Sequence, residues 1–197
     1  QFKHGAPKGW TVAWSYLERT RFRFDVAGQV IHAEADTVIA AEASRQMKTN
    51  EYWYGATFAR RLGEHTAFGA TTYVAYRSQN QRNGIDGAAV AGAAAASLHV
   101  TDDFSAHQLR VLAKLGLAYD AEPFSCGLAV TTPSLGVMGS GEVHRSASLV
   151  GVDRDNDGID DPYLAATSQN DLDGAWKTPL SVAAGASLRF GRSGLHV

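Results

Sequence analysis

QLRVLAKLGLAYDAEPFSCGLAV, residues 108–130, alternates apolar residues with polar or small ones on both sides of a turn at Asp120–Pro123. A period of two over this length predicts two long strands with one face in an apolar medium. The other face carries charges and should meet water. Long hairpins that are apolar outside and wet inside are typical of transmembrane β-barrels. The apolar face comprises Leu109, Val111, Ala113, Leu115, Leu117 and Tyr119, then Phe124, Cys126, Leu128 and Val130.

The segment Trp176–Phe190 repeats this alternation. About 14 steps of ~3.3 Å give roughly 46 Å of strand, and a tilt near 45° leaves about 33 Å across a membrane. An aromatic residue at each end matches the two aromatic girdles of a membrane barrel. The residues expected to point outward are Trp176, Thr178, Leu180, Val182, Ala184, Ala186, Leu188 and Phe190, and those expected inward are Lys177, Ser181, Gly185, Ser187 and Arg189.

Further strands are predicted at Trp10–Val26, Glu51–Arg60 and Thr66–Ser78. In the first, aromatic and aliphatic residues from Trp10 to Val26 share one face, and Arg19, Arg21 and Arg23 share the other. Tight turns at residues 61–65, 119–123 and 190–194 alternate with long connections at residues 28–49, 83–103 and 139–175. Short turns on one rim and long loops on the other match outer-membrane barrels. The first connection could instead continue its flanking strands, and the alanine run at residues 87–96 could form a short helix broken by glycine.

The fold class predicted is therefore all-β, an antiparallel up-and-down transmembrane β-barrel with six full strands and the start of a seventh after Gly194. Even the smallest membrane barrel takes about eight strands. We therefore expect residues 1–197 to be a single domain that is an internal piece of a larger barrel.

The composition restricts the partners. The chain has 197 residues, is 45% hydrophobic and carries a formal net charge of -2, so nothing indicates a nucleic-acid partner. It has no run of eighteen apolar residues, which excludes a membrane helix and leaves strands as the means of contact with a lipid bilayer. Cys126 is the only cysteine, so an internal disulfide is excluded.

An acidic stretch at residues 153–161, DRDNDGIDD, is the strongest local motif. Carboxylates at alternate positions followed by glycine can wrap a hard cation, and the predicted calcium ligands are Asp153, Asp155, Asp157 and Asp161. Leu164 occupies the position of the closing glutamate of an EF-hand, so Asp161 would close a shorter loop. The alternative is a solvated acidic loop that binds nothing.

Two other groups of residues have candidate roles, in ion selection and in catalysis. The inward cations Arg19, Arg21, Arg23, Arg77, Arg110, Lys114, Lys177 and Arg189 could select anions, but neutralisation of carboxylates on strands outside this sequence is the favoured reading. Ser140 with the nearby His144 lacks a full nucleophile motif and a third member, and we expect no enzyme.

Several motifs resemble the outer-membrane transporters of hydrophobic compounds typified by the long-chain fatty-acid channel FadL. They are LGLAY at 115–119, PFS at 123–125, VTTPSLG at 130–136, GSG at 139–141 and KTPLSVAAG at 177–185. The resemblance implies a barrel of about fourteen strands, a hatch in the lumen and lateral passage of hydrophobic molecules into the bilayer. The hatch and that family's Asn-Pro-Ala signature are not in this sequence, so its substrate-binding residues cannot be carried over.

The function expected is passive uptake of hydrophobic small molecules such as long-chain fatty acids through the outer membrane of a Gram-negative bacterium. Phe22, Phe24 and residues 139–147 are candidate substrate surfaces. Two alternatives stay open: a structural or adhesion barrel with calcium-stiffened outer loops, and a soluble β-sandwich or lipocalin-like binder with a polar outer face.

Overall fold

Alternation of apolar and polar residues produces one antiparallel β-sheet, which curls into a half-barrel. The computed structural model describes residues 9–155, 157–190 and 193–196. Within these ranges no helix is long and apolar enough to cross a membrane. The strands are β1 (Trp10–Glu34), β2 (Thr37–Arg61), β3 (Thr66–Ala91), β4 (Ala94–Ala121), β5 (Phe124–Thr131), β6 (Leu135–Val150), β7 (Tyr163–Leu172), β8 (Ser181–Phe190) and β9 (Ser193–His196).

The strands pair in chain order until the sheet divides at β4. The part of β4 at Lys114–Ala121 pairs with β5, whereas Ser97–Val111 pairs with β6. The β5 branch continues through β8 to β9, and the β6 branch continues to β7. The order β1-β2-β3-β4-β5-β8-β9 therefore gives six strands and a short seventh, and the predicted antiparallel up-and-down barrel fold is confirmed as a half-barrel.

The register defines two faces. The face that holds the buried side chains Glu51, Trp53 and Arg110 is the concave one and is called the inner face. The opposite, outer face carries a row of exposed apolar residues near the turn at residues 62–65, and we call this row the apolar belt. Its members are Trp14, Tyr16, Tyr54, Phe58, Phe68, Val74, Tyr76, Leu115, Leu117, Tyr119, Leu128, Val182 and Leu188. Neither a second sheet nor a helix covers the belt in the described part of the chain.

Two of the predicted long connections are strand instead. Residues 28–49 extend β1 and β2 to a tight turn at residues 35–36. Residues 83–103 extend β3 and β4 to a tight turn at residues 92–93. The alanine run forms the end of β3, the turn at residues 92–93 and the start of β4, so the helix prediction there was wrong. Residues 87–91 pair with residues 94–98 across the β3–β4 ladder, and Gly92 adopts a φ of 58° that suits the turn between them. The third connection, residues 139–175, contains most of β6 and all of β7, joined by a loop at residues 151–162.

A β-bulge between Glu18 and Thr20 changes the direction of the side chains along β1. Before it, Tyr16 lies opposite Tyr54 on the outer face. After it, Phe22 lies opposite Thr49 on the inner face. An extra residue in one strand moves all following side chains to the other face. The prediction that Trp10–Val26 keeps one apolar face was therefore wrong, because Phe22, Phe24 and Val26 face inward while Arg21 and Arg23 face outward.

Candidate functional site

The inner face above the bulge, on the side away from the apolar belt, forms an apolar wall. Phe24, Met47, Gln81 and Phe104 lie in one register row of this wall. Just above the bulge, the outer face carries polar and charged residues such as Arg23, Lys48 and Asn80. Nearer the turns at residues 35–36 and 92–93, exposed apolar side chains also lie on the outer face, namely Ile31, Val38 and Val90. Apolar and polar faces thus exchange sides along the strands. The apolar members of the wall are Phe22, Phe24, Val26, Val30, Ile39, Met47, Ile85, Leu98, Val100, Phe104, Val143 and Leu149.

One ion pair interrupts this apolar wall. The side chains of Arg145 and Asp102 face each other across β6 and β4 and form a hydrogen-bonded pair. This hydrogen bond, followed by the charge of Asp102, raises the pKa of Arg145 above its ordinary value. Arg45 of β2 and Asn83 of β3 lie in the same register row, so this row forms a polar band across the wall in which Asp102 neutralises Arg145.

Below the wall, a buried carboxylate collects three guanidinium groups. Glu51 accepts a hydrogen bond of 2.6 Å from Trp53 Nε1 and lies 2.6 Å from Arg110 Nη2. Arg19 and Arg77 approach the same carboxylate at 3.6 Å. The side chains of Glu51 and Arg110 are 4% and 3% exposed, so this charge cluster is almost closed to water.

These contacts revise the reading of the inward cations. Arg19, Arg77 and Arg110 are neutralised in part by Glu51, which belongs to β2 of this same chain. Arg21 and Arg23 are not inward. Three guanidinium groups around one carboxylate leave an excess of positive charge, and the buried Nε atoms of Arg77 and Arg110 have no hydrogen-bond partner among the described residues.

The β-sheet of the half-barrel is interrupted beside the Glu51 cluster. Residues 173–180 leave the sheet between β7 and β8, and we call this segment the inner strap. The backbone N–H of Trp176 donates to Oε1 of Gln108, and the guanidinium of Arg77 lies 5.0 Å from the Trp176 ring centre. A Cβ on Gly139 would overlap the carbonyl oxygen of Gly174, so only glycine permits this close approach.

The apolar stripe predicted at Trp176–Phe190 is wrong at its first end, because residues 176–180 belong to the inner strap and not to a strand. Trp176 packs against inner-face residues, and β8 begins only at Ser181. Thr178 is buried, and its backbone N–H donates a hydrogen bond of 2.8 Å to Oγ of Ser134. Lys177 lies outside any strand. Leu180 and Val182 are exposed, as predicted. The side chain of Phe190 lies outside the described residues.

The interruption of the sheet beside the inner strap also exposes apolar residues on the edge of β6. Leu135, Val137 and Met138 are more than half exposed beside Leu180, and nothing pairs with this edge from the side of β7 among the described residues. A second bulge lies here in β6, where Val137 is the extra residue opposite Leu109 and Arg110 of β4. The result is an apolar notch at the upper margin of the belt, bordered on the inside by the strap.

The acidic loop brings three of its four predicted ligands together. Carboxylate oxygens of Asp153, Asp155 and Asp161 lie within 4.8 Å of one another. Asp157 instead accepts a hydrogen bond of 2.8 Å from the amide of Ile159. The backbone amides of Asp157 and Gly158 donate to Asp153, so the loop is folded around its own carboxylates. Calcium binding here stays a prediction.

The serine considered as a nucleophile has another histidine as its neighbour. Ser140 Oγ lies 3.2 Å from Nε2 of His107, its cross-strand partner on β4. His144 lies opposite Asp103 instead. No carboxylate is hydrogen-bonded to His107 in the described part of the chain, and the expectation that the protein is not an enzyme stays a prediction.

Sequence reasoning missed Glu51 and the inner strap. A glutamate between polar Asn50 and aromatic Tyr52 gives no local signal, and its role depends on arginines that follow 26 and 59 residues later in Arg77 and Arg110. The strap carries a signal in Gly174 and in Pro179, since both residues interrupt a strand pattern.

Comparison with known proteins assigns neither a family nor a function to this chain. The chain matches no protein-family model and no curated protein.

Proposed function

We propose that this protein is a segment of an outer-membrane barrel that takes up hydrophobic small molecules such as long-chain fatty acids by passive diffusion. The observation that carries the proposal is the exchange of apolar faces along the strands. An apolar outer face suits lipid, and an apolar inner face under a polar outer face suits a hydrophobic ligand above the membrane. The motifs that resemble hydrophobic-compound transporters point to the same function.

The height of the apolar belt supports the proposal that the belt lies within a membrane. Ten steps from Leu109 to Tyr119 along β4 correspond to about 33 Å of strand, or about 23 Å when tilted near 45°. That height is close to the ~25 Å apolar band of outer-membrane barrels. A soluble binder would need a polar outer face at this level, where these residues present leucine, valine and tyrosine.

A route follows from the notch and the inner strap. A hydrophobic molecule would leave water along the apolar wall and meet the strap, which lies between the wall and the notch. Leu135, Met138 and Leu180 would then offer an apolar exit toward lipid at the upper margin of the belt. The Glu51 cluster lies beside this route, and its member Arg77 also contacts the ring of Trp176.

The test is transfer of a fluorescent long-chain fatty acid into vesicles that contain the full-length protein. Replacing Leu98 and Phe104 of the wall together by Asn should lower the transfer rate at least tenfold. Loss of about 1 kcal/mol of apolar contact at each half-exposed position corresponds to this factor. A matched double replacement on the other face of the same strand, Ser97→Asn with Thr101→Asn, should transfer at the original rate.

Equal rates for the two double variants would contradict the inner wall as the ligand surface. Absence of protein-dependent transfer from correctly inserted protein would instead favour the structural or adhesion barrel.

A further inference from the structure

The β-bulge in β1 places a group of cations on the outer face. Arg21 and Arg23 follow the bulge, and Lys48 lies directly opposite Arg23 on β2. We call these three residues the cationic patch. The arginine side chains are 78% and 79% exposed. Like charges directly opposite each other destabilise a sheet, so the Arg23–Lys48 pair favours an anion that lies between them.

Neighbouring carboxylates neutralise this patch only weakly. The closest approach of Glu18 to Arg21 is 3.8 Å, and that of Asp25 to Arg23 is 3.9 Å, both at exposed positions. Exposed ion pairs of this geometry contribute little, because water and salt screen them. By contrast, Arg82 further along the same face is matched by two hydrogen bonds to Asp103. The hydrogen bonding and charge of Asp103 raise the pKa of Arg82.

The patch lies immediately above the aromatic margin of the belt. Tyr16 packs against Tyr54 and Tyr52 with ring centres 5.1 and 6.0 Å apart. Tyrosine clusters of this kind prefer the boundary between hydrocarbon and headgroups. Under the embedding proposed above, the first residues beyond that boundary would face lipid headgroups, which in an outer leaflet carry phosphates and sugars.

A groove of about 810 Å³ runs from the cationic patch across the outer face to β7. It lies between two register rows of polar side chains, and its floor is the row that contains Met47 and Gln81. The side chains near the patch, Gln46 and Asn80, carry amides that both donate and accept hydrogen bonds. At the far end, Glu142 accepts a hydrogen bond of 2.8 Å from Ser105. The groove thus has Arg23 and Lys48 with Asp25 at one end, the Arg82–Asp103 ion pair further along, and hydroxyl-binding groups along its length.

We propose that this groove binds the phosphorylated sugar headgroup of a glycolipid in the outer leaflet. A phosphate would lie between Arg23 and Lys48 with Arg21 beside it, and sugar hydroxyls would bond Gln46 and Asn80. Arginine and lysine form strong charge-assisted hydrogen bonds with phosphate oxygens. The inference rests on the membrane embedding proposed above, but not on transport.

The experiment measures lipid retention by the full-length protein in detergent, using native mass spectrometry. The probes are lipid A, which is a phosphorylated glycolipid, and a galactolipid without phosphate. Wild-type protein should retain lipid A at least tenfold more than galactolipid, and the preference should fall as salt rises. The double variant Arg23→Gln with Lys48→Gln should lose that preference. Arg45→Gln, a cation of β2 on the inner face, should keep it.

Three results would overturn the proposal. These are an unchanged preference in the double variant, an equal loss in Arg45→Gln, and displacement of lipid A by equimolar inorganic phosphate, which would indicate a site for free anions. Insertion into vesicles, read from the heat-dependent mobility of the folded protein, is measured in parallel. Failure to insert contradicts the membrane embedding, whereas insertion without lipid preference contradicts the headgroup site alone.

Discussion

Replacement of Glu51 by Gln removes the negative charge that three guanidinium groups approach, while preserving the shape of the side chain. At an effective dielectric constant of ~20, the attraction to Arg110 at 2.6 Å is about 6 kcal/mol, and that to Arg77 at 3.6 Å is about 5 kcal/mol. Desolvation of the buried groups offsets much of this attraction. Arg19 adds little, since its side chain is 47% exposed.

The net loss of unfolding free energy expected for Glu51→Gln is about 3–5 kcal/mol, the usual cost of leaving a buried charge without its partner. Unfolding in guanidinium chloride, followed by tryptophan fluorescence of the protein folded in vesicles, measures this quantity. Replacing Arg110 by Met in the same protein should recover part of the loss, because fewer uncompensated cations then remain. Asp25→Asn, at an exposed ion pair, should change stability by less than about 1 kcal/mol.

A Glu51→Gln variant within 1 kcal/mol of the wild type would refute this reasoning. So would an Arg110→Met replacement that worsens the loss. Either result would mean that water reaches the cluster and screens the charges.

Three other predictions concern the belt, the strap and the acidic loop. Leu115→Arg, on the outer face near the middle of the belt, should lower the unfolding free energy in vesicles by about 2–4 kcal/mol, whereas Ala118→Arg on the inner face should not; equal effects would contradict the assigned faces. Gly139→Val should displace the inner strap and speed tryptic cleavage after Lys177, and an unchanged cleavage rate would show that the strap does not depend on that contact. Calcium at a few millimolar should slow tryptic cleavage after Arg154, with chelator restoring it, since loops of this type bind with Kd of about 0.1–1 mM. No protection would end the calcium prediction.

The sequence predicted the belt because one physical constraint governs it. From Leu109 to Tyr119, and again from Phe124 to Val130, every second residue lies on the same outer face, so the chain shows a period of two. The same reasoning predicted the turn at Glu122–Pro123 and the number of strands in the order β1-β2-β3-β4-β5-β8-β9. Such local patterns need no knowledge of distant residues.

The longer strands were harder to predict because their apolar residues change faces. In β2 the outward apolar residues Tyr54 and Phe58 have even numbers, while the inward Ile39 and Met47 have odd numbers. A search for one continuous period stops at the change and assigns the remainder to a loop. The polar outer residues beyond it, such as Lys48, reinforced that interpretation.

In β1 the sequence keeps a constant period, and the backbone makes the change instead. Tyr16 and Phe22 both have even numbers, yet the bulge between Glu18 and Thr20 sends them to opposite faces. β1 and β2 therefore reach one arrangement by different means, at levels that coincide in the register. Two independent solutions at a common height indicate a requirement from outside the sheet rather than from the packing of either strand. Under the proposed embedding that requirement is the boundary between hydrocarbon and water, which explains why the aromatic margin, the cationic patch and the start of the apolar wall occur together.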